Sequence, residues 1–84
     1  MVFALSAALF GKIDIQDGVV QQSNFTNYRM VQMQQAPRVE TWIVPSTRPP
    51  AGVGEPAVPP LAAAVGNAMF VLTGQRKRAL PLKL

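Results

Sequence analysis

Hydrophobic and polar positions change their period along this chain, and each change predicts an element. Residues 2–10 (Val-Phe-Ala-Leu-Ser-Ala-Ala-Leu-Phe) are helix formers and apolar nearly all round. They predict a helix that seeks burial on every side and stops at Gly11 in a C-cap position. No Ser, Thr, Asp or Asn precedes it to cap its first turn, so it reads as the second half of a longer helix with a cut N-terminus. From Lys12 the period becomes two. Ile13 and Ile15 alternate with Lys12, Asp14 and Gln16, Asp17-Gly18 supplies a turn, and an apolar run resumes at Val19, which together predict a β-hairpin. Residues 23–29 have no clean period and read as irregular, and residues 30–36 fit either one helical turn or a loop that Pro37 ends. Residues 39–44 (Val-Glu-Thr-Trp-Ile-Val) are β-branched and aromatic between two prolines and predict a strand paired with the hairpin. Val58, Leu61, Ala62, Val65, Ala68, Met69 and Leu72 then recur at three and four, the mark of one apolar helix face. Pro59 and Pro60 suit the first turn of that helix and Gly74 its end. Gly66 inside it costs about 1 kcal/mol relative to alanine and predicts close packing against something. Arg76, Lys77 and Arg78 follow where cations favour the helix dipole, and residues 80–84 trail off as an extended tail.

Between the strand and the last helix lies the stretch the rest is arranged around, residues 49–60, Pro-Pro-Ala-Gly-Val-Gly-Glu-Pro-Ala-Val-Pro-Pro. Proline lacks an N–H and fixes φ, so the stretch continues neither a helix nor a central strand and must be a shaped loop. Pro56 pushes Glu55 toward extended backbone, beside Gly52 and Gly54, which let another group approach closely. A catalytic carboxylate needs such a mount, because a misplacement of about 1 Å costs about 100-fold in rate. The ordinary reading of a carboxylate in a Gly/Pro loop is a surface turn residue; against it, Val53 and Val58 flank Glu55 with apolar side chains able to exclude water. Asp14, Asp17 and Glu40 lie elsewhere in the pattern, so Glu55 would act as a single base. The Gly-x-Gly-Glu run is not a dinucleotide fingerprint: the third glycine is missing and prolines follow. Met30, Met33 and Met69 read as gap-fillers, and Trp42 and Tyr28 as packing aromatics.

Composition narrows the chemistry. With no cysteine and no histidine, disulfides, thiolate nucleophiles, Cys/His zinc sites and iron–sulfur ligation all drop out, and no metal ligands are expected from this chain. The absence of cysteine suits the bacterial cytoplasm and the periplasm alike. Eighty-four residues make one unit with a thin core, yet 49% are hydrophobic against 14% charged, so some apolar surface expects a partner. The net charge of +4 is scattered except at Arg76, Lys77 and Arg78, which argues against a nucleic-acid partner. No stretch reaches the roughly 20 apolar residues that span a bilayer, and residues 1–10 lack the basic start and cleavage site of a signal peptide.

Three separated motifs carry a resemblance: Gly-Val-Gly-Glu-Pro-Ala-Val-Pro-Pro at 52–60, Gln-Ser-Asn-Phe-Thr-Asn-Tyr-Arg at 22–29, and Ala-Met-Phe-Val-Leu-Thr-Gly-Gln-Arg-Lys-Arg-Ala-Leu-Pro-Leu at 68–82. In their order along the chain, 22–29, 52–60 and 68–82, they resemble the extreme C-terminus of the molybdopterin-binding large subunit of molybdenum hydroxylases, the xanthine dehydrogenase and aldehyde oxidase family, and most of all the isoquinoline 1-oxidoreductase beta type. The resemblance implies that Glu55 is the catalytic base for hydroxylating an N-heterocycle or aldehyde carbon with water as oxygen source. Gly52, Val53 and Gly54 would form the loop beside the molybdenum. It implies a molybdopterin cytosine dinucleotide cofactor held through its pterin and not by protein side chains. The implied partners are the remainder of the large subunit and an iron–sulfur small subunit. Thr26-Asn27 departs from the family's usual His-Asp between Phe25 and Tyr28.

The expected architecture is α+β: a small antiparallel sheet, made of the hairpin and one or more further strands, with an N-terminal and a C-terminal helix. Residues 1–84 form a single unit, the C-terminal segment of a molybdopterin-binding domain. The pterin-binding loops, substrate pocket and electron path lie in parts of the family's subunit that this chain lacks. Alone it is expected to bind no cofactor, to be inactive and to self-associate through residues 2–10. The alternative is a small basic interaction module without enzymatic activity, using Arg76 to Arg78 and the first helix.

Overall fold

Two helices and one short hairpin, in the order helix, hairpin, helix, make up the regular structure of the computed structural model, which describes residues 1–83. Helix α1 (Val2–Phe10) starts after Met1 without a side-chain cap and is closed by Gly11, whose N–H donates to the Ala7 carbonyl. The glycine is needed there for space. A Cβ on Gly11 would stand 2.7 Å from the Ala7 oxygen, whereas its φ of −63° is open to any residue. Helix α2 (Val58–Thr73) carries prolines in its first turn, where no N–H is missed, and ends at Gly74 in the left-handed region at φ 70°. That angle costs a residue with a Cβ roughly 1–2 kcal/mol.

Helices α1 and α2 pack on each other, and the core lies between them. It is built from small residues: Ala8 is 2% exposed and Ala4 is buried on α1, against Met69 on α2. Small side chains let the helices approach closely but bury little area. The expected burial of α1 on every side is therefore met on one face only, and Phe3 remains 72% exposed. The tail differs from expectation. Leu82 turns back over α1, its N–H donating to the otherwise orphaned Ala8 carbonyl at 2.8 Å, and its side chain is only 6% exposed. The last carbonyls of a helix need such donors. Of the expected tail, Leu84 lies outside the described residues.

The hairpin is as predicted but short. Strand β1 (Ile15–Gln16) pairs antiparallel with β2 (Val19–Val20), Ile15 opposite Val20, around a turn in which Asp17 and Gly18 take φ of 50° and 77°. The positive angles at both turn positions match the twist of the strands. Residues 39–44, expected as a further strand, form none in this structure: they run unpaired, with Trp42 87% exposed. Their β-branched sequence suits a ladder, but no hydrogen-bonding neighbour lies alongside among the described residues, and a lone strand is not stable in water. Residues 30–36 contain a 3₁₀ turn at Met33–Gln35, closed by reciprocal bonds between Gln32 and Gln35.

The loop at residues 23–29 is irregular, as its lack of period predicts, and asparagine side chains organise it. Asn27 Oδ1 accepts the Ser23 N–H at 2.9 Å and its amide donates to the Gln21 carbonyl at 2.9 Å, while Asn24 Oδ1 accepts from Thr26 N–H at 2.8 Å. Asn27 is thus a loop clamp. Two contacts fix this region to α1: the Arg29 guanidinium lies 4.1 Å from the Phe10 ring centroid, and Ser6 Oγ accepts the Val31 N–H at 3.0 Å.

Asp14 ties the base of the hairpin. Lys12 Nζ stands 2.7 Å from its carboxylate, the Gln22 amide donates to it at 3.3 Å, and the Asp14 N–H donates to Gln22 Oε1 at 2.8 Å. The hydrogen bond from Lys12 is the main cause holding the Asp14 carboxyl below its ordinary value, with the Lys12 charge and Gln22 adding to it and desolvation opposing. A depressed folded-state value means that the ionised form favours the fold. The contribution is complete above the unfolded value of about 3.9 and is lost as the pH falls through the lower folded value. A pH titration followed by NMR should show the Gln22 side-chain amide and the Asp14 N–H shifting together below about pH 3.9. A transition at or above that value would contradict the Lys12 contact.

Candidate functional site

Glu55 occupies the end of a long exposed run. Every residue from 32 to 56 is exposed, and helix α2 begins three residues after Glu55. The Glu55 carbonyl accepts the Val58 N–H at 2.8 Å, which fixes its backbone to the entrance of α2. Pro59 and Pro60 offer no N–H, so the helix start presents few donors of its own. Among the described residues the Glu55 side chain takes part in neither ion pair and in no hydrogen bond.

Gly52 and Gly54 give the loop its open side. A Cβ built on either meets nothing within 4 Å, and neither has a positive φ. Their contribution here is room for a group to approach the backbone, not an unusual angle. The apolar screen expected from the flanking valines is absent: Val53 is 84% exposed and Val58 is also open to solvent, because no second layer stands over the loop. Two residues beyond Glu55, an apolar groove of about 470 Å³ runs between the start of α1 (Met1, Leu5) and the first turns of α2 (Pro60, Leu61, Ala64), with Ala57 on its rim. Glu55 itself does not line it.

No group of three or more His, Cys, Asp or Glu able to hold a metal ion occurs among the described residues, so they offer no direct ligand set. What the loop offers is one unpartnered carboxylate beside open backbone. That donor set fits proton transfer next to a group held by other parts of a protein, and does not fit holding the group. No helix among the described residues is long and apolar enough to cross a membrane.

Comparison with known proteins places these observations. Isoquinoline 1-oxidoreductase subunit beta of Brevundimonas diminuta is 35% identical over 83 residues, which is 99% of this chain and 11% of that protein. The membrane-bound aldehyde dehydrogenase (pyrroloquinoline-quinone) of Gluconacetobacter polyoxogenes is 32% identical over 98% of this chain and 11% of its own length. The putative xanthine dehydrogenase molybdenum-binding subunit of Escherichia coli strain K12 is 35% identical over 98% of this chain and 12% of its own length. The chain therefore spans little more than a tenth of these curated relatives. No family model matches it, and no solved structure does.

Proposed function

Since the chain is homologous over nearly its whole length to a segment of molybdenum hydroxylase large subunits, we propose that it serves as the C-terminal part of such a subunit and carries the general base, Glu55. The observation that carries this reading is the match over 99% of the chain to an isoquinoline 1-oxidoreductase subunit. The open, partnerless Glu55 loop supports it. When bound in the complete subunit, a molybdenum–pterin cofactor, in the cytosine dinucleotide form, supplies the oxidising chemistry that places a water-derived oxygen on an N-heterocycle or aldehyde carbon.

The contribution of this chain is confined to a proton and its position. The Glu55 carboxylate accepts a proton from the attacking water, its backbone held by the Val58 bond and by Pro56. The open backbone at Gly52 and Gly54, with Val53 between them, would leave room for the cofactor beside that carboxylate. Exclusion of water falls to the remainder of the subunit, because Val53 and Val58 do not supply it here. The relatives' names differ in cofactor, molybdenum in one and pyrroloquinoline quinone in another. Molybdenum is preferred on the Gly-x-Gly-Glu motif, and metal analysis of the complete subunit reads the choice directly. Glu55→Gln in that subunit tests the role of the base.

Surface area supports the remainder of a large subunit as partner, with an iron–sulfur small subunit completing the enzyme. A compact 9.1 kDa chain exposes about 4,900 Å². This one exposes 7378 Å², roughly 2,500 Å² more, whereas a standard interface needs about 800 Å² per partner. Its radius of gyration of 16.1 Å likewise exceeds the roughly 12 Å of a compact chain of this length. Purified alone, the chain should self-associate and brighten an apolar dye such as anilinonaphthalene sulfonate. A monomeric, dye-silent species in light scattering would overturn the reading.

A further inference from the structure

The middle of α2 and the segment that follows the helix border a separate open recess of about 310 Å³, to which no residue of the Glu55 loop contributes. Arg76, Lys77, Arg78 and Asn67 line it, over a floor that includes Ala62 and Gly66. Among the described residues no carboxylate lines it, and the two ion pairs, Lys12–Asp14 and Arg38–Glu40, leave these three cations out. The end of α2 contributes a partial charge of about −0.5, which three full positive charges outweigh. Arg76 is already held in place: its guanidinium lies 3.8 Å from the Phe70 ring centroid, and Nη1 donates to Asn67 Oδ1 at 3.5 Å. A guanidinium fixed on an aromatic face loses less freedom when it meets an anion. The sequence expects Gly66 to mark close packing, yet a Cβ there meets nothing within 4 Å. The missing side chain leaves this recess open.

We propose that the recess binds a small phosphate-bearing molecule, with Arg76 and Arg78 taking the oxyanion and the floor at Ala62 and Gly66 receiving the uncharged body. A small ligand is favoured over a polymer for two reasons. The volume sits at the lower end of the roughly 300–1,000 Å³ typical of ligand pockets, and the other basic residues are spread along the chain instead of forming a track. The proposal does not depend on Glu55.

The test titrates inorganic pyrophosphate and a nucleoside diphosphate, separately, into the 84-residue chain and follows backbone amide shifts. Saturable shifts centred on residues 62–67 and 76–80 are expected with either, and tighter binding of the nucleotide identifies an organic phosphate as the natural class. Arg76→Ala with Arg78→Ala should weaken binding by about tenfold or more, as loss of a charge-assisted contact does. Gly66→Leu fills the recess without changing charge or adding a helix breaker, and should weaken binding as much while circular dichroism keeps its helix signal. No saturable binding, or pyrophosphate binding unchanged in Gly66→Leu, would overturn the proposal. So would tighter binding per phosphate to an oligonucleotide or to phosphatidylglycerol vesicles, since those outcomes reassign the cations to a polymer or a membrane.

Discussion

Replacing Glu55 by glutamine in a complete large subunit should lower turnover by about 10²- to 10⁴-fold while molybdenum and pterin content stay at the wild-type level. Glutamine keeps the size and most of the hydrogen-bonding capacity of glutamate but cannot take up a proton at this pH, so the loss isolates proton transfer from positioning. The structure gives reason to expect an intact fold in the variant. The Glu55 side chain makes no ion pair or hydrogen bond among the described residues, and the backbone bond from Val58 goes to its carbonyl, which the substitution leaves alone. A variant with normal cofactor content and turnover within a few-fold of wild type would remove Glu55 from the chemistry.

The largest stability effect should come from Leu82→Ala. Truncating a buried leucine costs about 2–5 kcal/mol, and a site near an open groove falls at the lower end because solvent and neighbours partly fill the space. Leu82 borders such a groove together with Leu9, Val65 and Met69. The total stability of a unit this small is about 4–13 kcal/mol, so even 2 kcal/mol is a substantial share. Urea unfolding of the 84-residue chain should show a clearly lower midpoint for Leu82→Ala, and Leu82→Met should lose less than about 1.5 kcal/mol. An unchanged midpoint in the alanine variant would mean that the tail is not part of the cooperative fold. The backbone bond from Leu82 to Ala8 survives both changes, so the comparison reads the side chain.

Features that depend on neighbours within one turn were legible in the sequence. The three-four spacing of apolar residues set α2, Gly74 ended it, and Asp17-Gly18 closed the hairpin. Features that depend on a distant partner were not. Residues 39–44 have strand composition, but composition cannot provide the neighbouring ladder, and the run stays unpaired. The same gap explains the tail and Gly66: nothing local says that Leu82 will meet Ala8, or that a glycine in an apolar helix faces a recess bordered by cations. For the candidate site, the sequence singled out the glycine loop and Glu55. The structure adds that the loop is uncovered and that its valines shield nothing. Asn67, a polar residue in an apolar helix, gives no local sign that it and Phe70 will contact Arg76.

The exposed run from residue 32 to residue 56 has a further consequence. It bridges two helices that meet through a few alanines, a methionine and one leucine, and contributes none of the buried residues itself. A flexible connection is inexpensive to lengthen: doubling it adds only about 0.6 kcal/mol of closure entropy. Changes of sequence or length within residues 38–48 of this run should therefore leave the helical pair folded. The segment leading to Glu55 thus adds little to the stability of the chain, while the few residues that clasp the helices keep it folded.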